Sequence, residues 1–255
     1  MLDAILVKAD VEAEAAASRL TELKRDAERQ PAARSLRAAL AGPGLSVIAE
    51  IKRKSPSAGD IDTGLDPVRQ AVAYEAGGAA AISVLTESHF FGGSLDDLIA
   101  VREAVSVPVL RKDFTRNDAQ IWEARAWGAD AVLLIVATLD QTLLEELIAT
   151  ASDVGIDAIV EAHSSRELER ATAAGANVIG VNNRDLATFR TDLSVAENLA
   201  TILPDGVVTI AESGVSTRQA ARRMRDAGYD AILVGEELVR SDDPAALVAE
   251  LKGER

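Results

Sequence analysis

Residues 227–235 read AGYDAILVG, and near-copies of this stretch recur along the chain. In each copy a glycine follows an amphipathic segment, and a short apolar run comes next. Glycine readily adopts the left-handed conformation that ends a helix, so the unit predicts a helix, a tight turn and a buried strand. The other copies are AGGAAAISVL from Ala76, WGADAVLLIV from Trp127, VGIDAIVEA from Val154 and AGANVIGVN from Ala174.

Three further apolar runs bring the number of predicted strands to eight. They are SVIAEIK from Ser46, VPVLRK from Val107 and VVTIAES from Val207. Helix-like segments separate the strands, and several open with Ser, Thr or Asp, whose side chains cap helix N–H groups. Eight such units predict the α/β class and a closed (β/α)8 barrel. A doubly wound sheet is the alternative, but no GxGxxG or Walker loop follows any strand.

Residues 1–44 precede the first predicted strand and indicate a helical extension of the barrel. We expect a long polar helix, then Pro31, then a shorter helix that ends near Gly42. The domain prediction is therefore one barrel over residues 1–255, with residues 1–44 as its N-terminal extension. We interpret the charged face of the long helix as a solvated surface rather than a partner-binding coil.

The composition limits the classes of function. Of the 255 residues 48% are hydrophobic, enough for a sizeable core, but only 3% are aromatic, which argues against base-stacking platforms for nucleic acids. With 27 basic and 41 acidic residues, the formal charge of −14 repels nucleic acids and anionic membranes. The chain has no cysteine, and its longest apolar run is too short for a membrane span. We expect a cytoplasmic protein that binds a small molecule, with no nucleic acid and no membrane as partner.

Polar residues end most of the predicted strands. Glu50 and Lys52 share one face of the first strand, because side chains alternate with period two. The carboxyl ends of barrel strands meet at one mouth, so we expect these charged and amide groups to converge there. Two lysines among three glutamates favour proton transfer on an anionic, carbonyl-bearing substrate. Ion pairs that only plug the barrel, paired-carboxylate hydrolysis and a Mg²⁺ site are the alternatives. Later strands end in Lys112, Glu161, Asn182 and Glu212.

A phosphate site is predicted after the last two strands. Ser213 and Gly214 follow one of them and Gly235 and Glu236 the other, each pair preceding a helical segment. Glycine lets backbone N–H groups approach an anion, and barrels commonly bind phosphate at this place. The Glu236 carboxylate opposes this prediction unless its side chain points away from the phosphate. Simple turns are the alternative interpretation.

The residues IAEIKRKSPS at 48–57 resemble the first-strand signature of the indole-3-glycerol phosphate synthase family. The resemblance continues through every later part of the barrel and includes the N-terminal extension. Further matching stretches are SVLTE at 83–87, FGGS at 91–94, LRKDF at 110–114, GVNNRDL at 180–186, AESGV at 211–215 and LVG at 233–235.

The resemblance implies a carboxy-lyase of tryptophan biosynthesis that needs no cofactor and no metal. Its substrate would be 1-(2-carboxyphenylamino)-1-deoxyribulose 5-phosphate, which loses carbon dioxide and water as the aromatic ring attacks the ribulosyl carbonyl carbon. Such a molecule needs a phosphate anchor, a cation for its carboxylate and two acid–base groups. Weak association with other enzymes of the tryptophan pathway is a further expectation.

The resemblance also implies roles for individual residues. Lys112 looks like the general acid for the carbonyl oxygen, and Glu161 like a second proton-transfer group. Lys52 would hold the substrate carboxylate and assist dehydration. The remaining members of the implied catalytic set are Glu50, which would orient the lysines, and Asn182 and Glu212, which would bind sugar hydroxyls or steer the catalytic groups.

The implied binding residues fall into three groups. Arg184, Ser213, Gly214 and Gly235 would hold the phosphate, with Glu236 beside them. Ser55 and Pro56 belong to the loop after the first strand, which tends to close over substrate in this family. Phe91, Leu133 and Leu186 would flank the aromatic ring, although packing in the core explains these three equally well.

Two other functions compete with this one. A phosphoribosylanthranilate isomerase would bind a similar ligand, but that family typically uses a cysteine near the first strand and this chain has none. A catalytically silent phosphosugar-binding barrel would not need the lysine–glutamate set. His89 and His163 follow the second and fifth strands, and the sequence gives neither of them a role.

Overall fold

The computed structural model describes residues 2–185 and 188–253. Two short strands, β2 (Lys54–Ser55) and β3 (Gly59–Asp60), form an antiparallel hairpin in the loop after β1. The other strands are β1 (Ser46–Ile51), β4 (Ala81–Leu85), β5 (Val109–Lys112), β6 (Ala131–Ile135), β7 (Asp157–Ala162), β8 (Val178–Asn182), β9 (Val208–Glu212) and β10 (Ala231–Val234).

These eight strands are all parallel and close on themselves in the order β1-β10-β9-β8-β7-β6-β5-β4. The predicted (β/α)8 barrel is thereby confirmed. Helices alternate with the strands: α4 (Pro67–Ala76), α5 (Leu95–Ala104), α6 (Asp118–Ala126), α7 (Gln141–Val154), α8 (Ser165–Ala173), α9 (Ser194–Ala200), α10 (Arg218–Asp226), α11 (Glu236–Arg240) and α12 (Pro244–Lys252).

The repeated glycine turn has the backbone that the sequence predicts. The glycine before the strand has φ between 79° and 98° in all five copies, a region that disfavours other residues. Polar N-caps begin most of the barrel helices, as at Asp66, whose carboxylate accepts from the N–H groups of Val68 and Arg69 at 3.0 and 3.1 Å. Local residue chemistry thus sets where each unit turns.

The extension forms three helices, α1 (Leu2–Ser18), α2 (Leu20–Glu28) and α3 (Leu36–Leu40). The predicted long helix is split at Arg19, whose φ of −109° and ψ of 7° leave helical geometry. Helix α2 packs on α6 through Leu23 and Ala27. Leu36 and Leu40 of α3 join the apolar cluster inside the barrel. The open mouth therefore lies at the carboxyl ends of the strands.

Candidate active site

Five charged side chains meet at the mouth of the barrel. Lys52 Nζ lies 2.8 Å from Glu50 Oε1. Lys112 Nζ donates to Glu161 Oε2 at 3.2 Å and lies 3.4 Å from Glu212 Oε2. The three glutamates are buried, and each lysine side chain is only 14% exposed. The structure brings together the set that strand alternation predicts.

Mutual attraction keeps the charges of this cluster in place. Burial alone would raise the pKa of Glu50, but Lys52 and Lys112 outweigh it and hold that pKa below its usual value. Burial opposes the charge of Lys112, yet Glu161, Glu212 and Glu50 raise its pKa well above the usual value. Lys112 is therefore protonated at neutral pH.

Glu161 and Glu212 differ in their protonation although both touch Lys112. Burial would raise the pKa of Glu161, but Lys112 and His163 lower it well below its usual range. Burial raises the pKa of Glu212 to about 8, with the charges of Glu161 and Glu50 adding to the effect against Lys112. Near neutral pH, Glu161 is thus the group favoured as the anion, and Glu212 is the group favoured in the protonated form.

The carboxyl group of Glu212 occupies space that a side chain at Gly180 would fill. A Cβ on Gly180 of β8 would lie 2.1 Å from Glu212 Oε1, so only glycine leaves space for this carboxyl group. Asn182 follows on the same strand, lines the same cavity, and its Oδ1 accepts from the N–H of Arg184 at 3.0 Å. Strand β8 therefore leaves space for the Glu212 carboxyl group at Gly180 and fixes the start of the following loop through Asn182.

A cavity of about 310 Å³ opens above the cluster. All the catalytic and binding residues that the sequence predicts line it, except Leu186, which lies outside the described residues. Further lining side chains that the sequence did not suggest include Leu2, Ile5, Ser57, Phe114, Ile135, Phe189 and Glu237.

The end of the cavity where the sequence predicts a phosphate has an unusual backbone. Ser213 and Gly214 have φ of 64° and 81°, two left-handed residues in succession. A non-glycine residue in this region is uncommon, so the turn after β9 holds Ser213 in a restricted conformation. Arg184 reaches across the mouth to donate to Ser57 Oγ at 2.5 Å. Glu236 Oε1 accepts from Arg240 at 3.1 Å, so its carboxylate is engaged by its own helix.

The opposite end of the cavity is apolar. The rings of Phe91 and Phe114 lie 6.4 Å apart at their centroids, and Leu133 lies below the mouth on β6. Leu2 and Ile5 of α1 complete this wall. A sequence pattern shows that α1 has a buried face but not what that face packs against, so these two residues were missed.

His163 is a further residue that sequence reasoning missed. Its Nε2 lies 3.3 Å from Glu161 Oε1, although the sequence analysis assigns it no role. The signal was present, because His163 follows Glu161 by two positions and alternation places both on one side of the chain.

Two further observations concern membrane-spanning helices and metal-binding side chains. Within residues 2–185 and 188–253 we find no helix with the length and apolar character needed to cross a bilayer. In the same part of the chain no group of three or more His, Cys, Asp or Glu side chains is arranged to hold a metal ion.

Comparison with known proteins gives consistent matches. The family model described as indole-3-glycerol phosphate synthase matches residues 3–251. A protein of that name from Mycolicibacterium gilvum is 52% identical over 253 residues, covering 98% of this chain and 93% of the relative. Proteins of the same name from Kineococcus radiotolerans and Streptomyces griseus are each 51% identical, covering 98% of this chain and 94% of each relative.

Two solved structures resemble the fold. Thiamine phosphate pyrophosphorylase from Pyrococcus furiosus has a TM-score of 0.62 and covers 86% of this chain and 96% of its own. A 3-hexulose-6-phosphate synthase has a TM-score of 0.61 and covers 82% and 99%. Both are 18% identical to this chain, so they support the barrel fold alone.

Proposed function

The chain belongs to the indole-3-glycerol phosphate synthase family, and from this premise we propose how its own residues carry out the reaction. The family's reaction closes the ring of 1-(2-carboxyphenylamino)-1-deoxyribulose 5-phosphate, with loss of carbon dioxide and water, to give indole-3-glycerol phosphate. The single observation that carries the assignment is the buried Lys112 ammonium between Glu161 and Glu212.

The substrate fits the cavity in one direction. Its phosphate binds to Arg184, Ser213, Gly214 and Gly235, which line one end of the cavity and include a cationic side chain. The carboxylated ring lies at the apolar end, near Phe91. The ribulosyl carbonyl group is then between the two ends, above the lysine–glutamate cluster.

Lys112 is the general acid of ring closure. Attack of the ring carbon on the carbonyl carbon places negative charge on the carbonyl oxygen, which a buried ammonium stabilises and then protonates. The surrounding carboxylates raise the pKa of Lys112, so it is charged before the substrate reacts.

Lys52 and Glu161 act on the other groups of the substrate. Lys52 pairs with the carboxylate that leaves as carbon dioxide and assists the later dehydration, while Glu50 holds Lys52 by the 2.8 Å contact. Glu161, which is ionised, accepts the proton that is lost during dehydration, when the indole ring becomes aromatic. Asn182 and Glu212 contact the sugar hydroxyls and steer these groups.

Two wider proposals follow from the family. We propose that the enzyme works in the cytoplasm and associates weakly with other enzymes of tryptophan synthesis, whose intermediates it would receive and pass on. Cell fractionation and a pull-down with purified pathway enzymes test these statements separately.

Replacement of Lys112 tests the central assignment. We expect Lys112→Ala to lower kcat at least about a hundredfold, because general acids contribute roughly that much, while the substrate still binds. Indole fluorescence measures turnover, and a binding titration measures affinity. The matched control is Lys24→Ala, which removes an exposed lysine of α2. Near-normal kcat in Lys112→Ala would move the acid role to Lys52 or Glu161.

A further inference from the structure

His163 lies directly after β7 and faces two carboxylates. Its Nε2 is 3.3 Å from Glu161 Oε1, and its Nδ1 is 3.2 Å from Glu167 Oε2. The side chain is 13% exposed. The Nδ1 contact is a hydrogen bond, whereas the Nε2 contact lacks hydrogen-bond geometry and is an ion-pair contact alone. A carboxylate beside each ring nitrogen favours the charged imidazolium over the neutral ring.

Glu167 is itself fixed by the beginning of α8. Its Oε2 also accepts from the backbone N–H of His163 at 2.9 Å, and its own N–H donates to Ser164 Oγ at 3.3 Å. The imidazole is therefore held from the side away from the cavity. These contacts restrict the rotamers of His163, and its Nε2 lies beside Glu161 within ion-pair distance.

The charges around Glu161 complete the arrangement. Lys112 contacts one carboxylate oxygen of Glu161, Oε2, and His163 contacts the other, Oε1. Lys112 also contacts Glu212, and His163 also contacts Glu167. Glu161 thus lies between two cations, only one of which belongs to the catalytic set.

We propose that His163 is a positioning residue, an imidazolium anchored by Glu167 that keeps Glu161 ionised and its carboxylate turned toward Lys112. This inference rests on the proposed role of Glu161 as a proton-transfer group. Burial opposes the charge of His163, but its contacts with Glu161 and Glu167 raise its pKa to about 10. His163 in turn lowers the pKa of Glu161, second to Lys112 among the charged neighbours.

The charge state of His163 is measured without reference to activity. The chain has two histidines, so imidazole ¹⁵N signals are few, and His89→Gln assigns them. We expect His163 to be doubly protonated at pH 7.5, with a pKa near 10 that falls by more than about one unit in Glu161→Gln and in Glu167→Gln. A His163 that titrates near 6.5 and does not respond to Glu161→Gln would overturn the proposal.

Kinetics then test its effect on the reaction. Gln at position 163 keeps a donor but no charge, so the pKa of Glu161 rises and less of it is ionised. We expect His163→Gln to lower kcat at least about tenfold with little change in KM, since proton-transfer groups contribute roughly a hundredfold or more. The acidic limb of the kcat profile should move to higher pH. The control His89→Gln should leave both parameters and the profile unchanged.

A double variant separates this proposal from a merely structural role. In a Glu161→Gln background, His163→Gln should cause no further loss of kcat, because its target is already gone. A full additional loss would mean that His163 acts elsewhere. If Glu161→Gln alone retained normal kcat, the proposed function of Glu161 would fail, while the ¹⁵N titration would still decide whether the two side chains are paired.

Discussion

At the scale of single residues, Glu212 is the group whose ionisation controls the acid strength of Lys112. Its carboxyl lies 3.4 Å from Lys112 Nζ, and burial together with neighbouring anions raises its pKa to about 8. Below that pH it is neutral and leaves the proton of Lys112 more weakly held. Above that pH it adds a second adjacent anion, which strengthens the hold on the proton.

This predicts a basic limb in the pH dependence of kcat. As the pH rises through about 8, Glu212 loses its proton and kcat should fall. In Glu212→Gln the group cannot ionise, so the limb should move to higher pH, whatever the effect on the maximal rate. Initial rates measured from pH 6 to pH 9.5 check this, because that range shows a movement of the limb by about one pH unit. Glu169→Gln, on the exposed face of α8, is the matched control, and an unchanged limb in Glu212→Gln would contradict the account.

The sequence could predict that these charged side chains converge, because the signal is local. Strand alternation places Glu50 and Lys52 on one face, and parallel strands end together, so convergence follows from the pattern alone. It could not predict that Glu161 and Glu212 would differ in protonation. That difference arises from burial and from distances to Lys112, which depend on the closed barrel.

At the scale of secondary-structure elements, helix α1 is part of the substrate cavity. Ile5 is 3% exposed, and with Leu2 it forms a wall near the apolar end. Lys8 of the same helix lies 3.3 Å from Glu87, whose other oxygen accepts from the N–H groups of Phe90 and Phe91. The helix thus supports the loop that carries Phe91.

Replacing Ile5 should weaken substrate binding more than it affects chemistry. We expect Ile5→Ser to raise KM by roughly fivefold, the equivalent of about 1 kcal/mol of lost apolar contact, with a smaller change in kcat. Val7→Ser is the control, since Val7 is 66% exposed on the same helix. Steady-state kinetics on both variants, with circular dichroism to verify folding, measure the effect. Equal KM values in the two variants would show that α1 only packs against the barrel.

Element boundaries were predictable wherever one residue type sets the backbone. The glycine turns and the polar N-caps set where most of the helices begin and end, as for α12 at Pro244–Lys252, with Asp243 at its N-cap and Gly253 at its C-cap. The break at Arg19 had no such marker, because arginine favours a helix and its side chain makes no capping contact. The position of α1 on the barrel depends on contacts between residues distant in sequence, so no local sequence pattern predicts it.

At the scale of the whole molecule, the barrel separates a closed end from a reactive end. Leu36 and Leu40 of α3 fill the amino-terminal end with apolar side chains, and buried charges occupy the carboxyl end. The chain has a formal charge of −14, whereas Arg184 adds a positive charge at the mouth of the barrel, among the same lining residues as Ser213 and Gly214. The proposed phosphate site therefore contains a cation in a molecule that is acidic as a whole.

The most direct test is an assay of the purified protein with 1-(2-carboxyphenylamino)-1-deoxyribulose 5-phosphate, with and without EDTA, following the fluorescence of the indole product. The account predicts that indole-3-glycerol phosphate forms at the same rate in both conditions, because Lys112, Lys52 and Glu161 supply the acid–base chemistry. Tight binding of this compound without turnover, or turnover that EDTA abolishes, would contradict it.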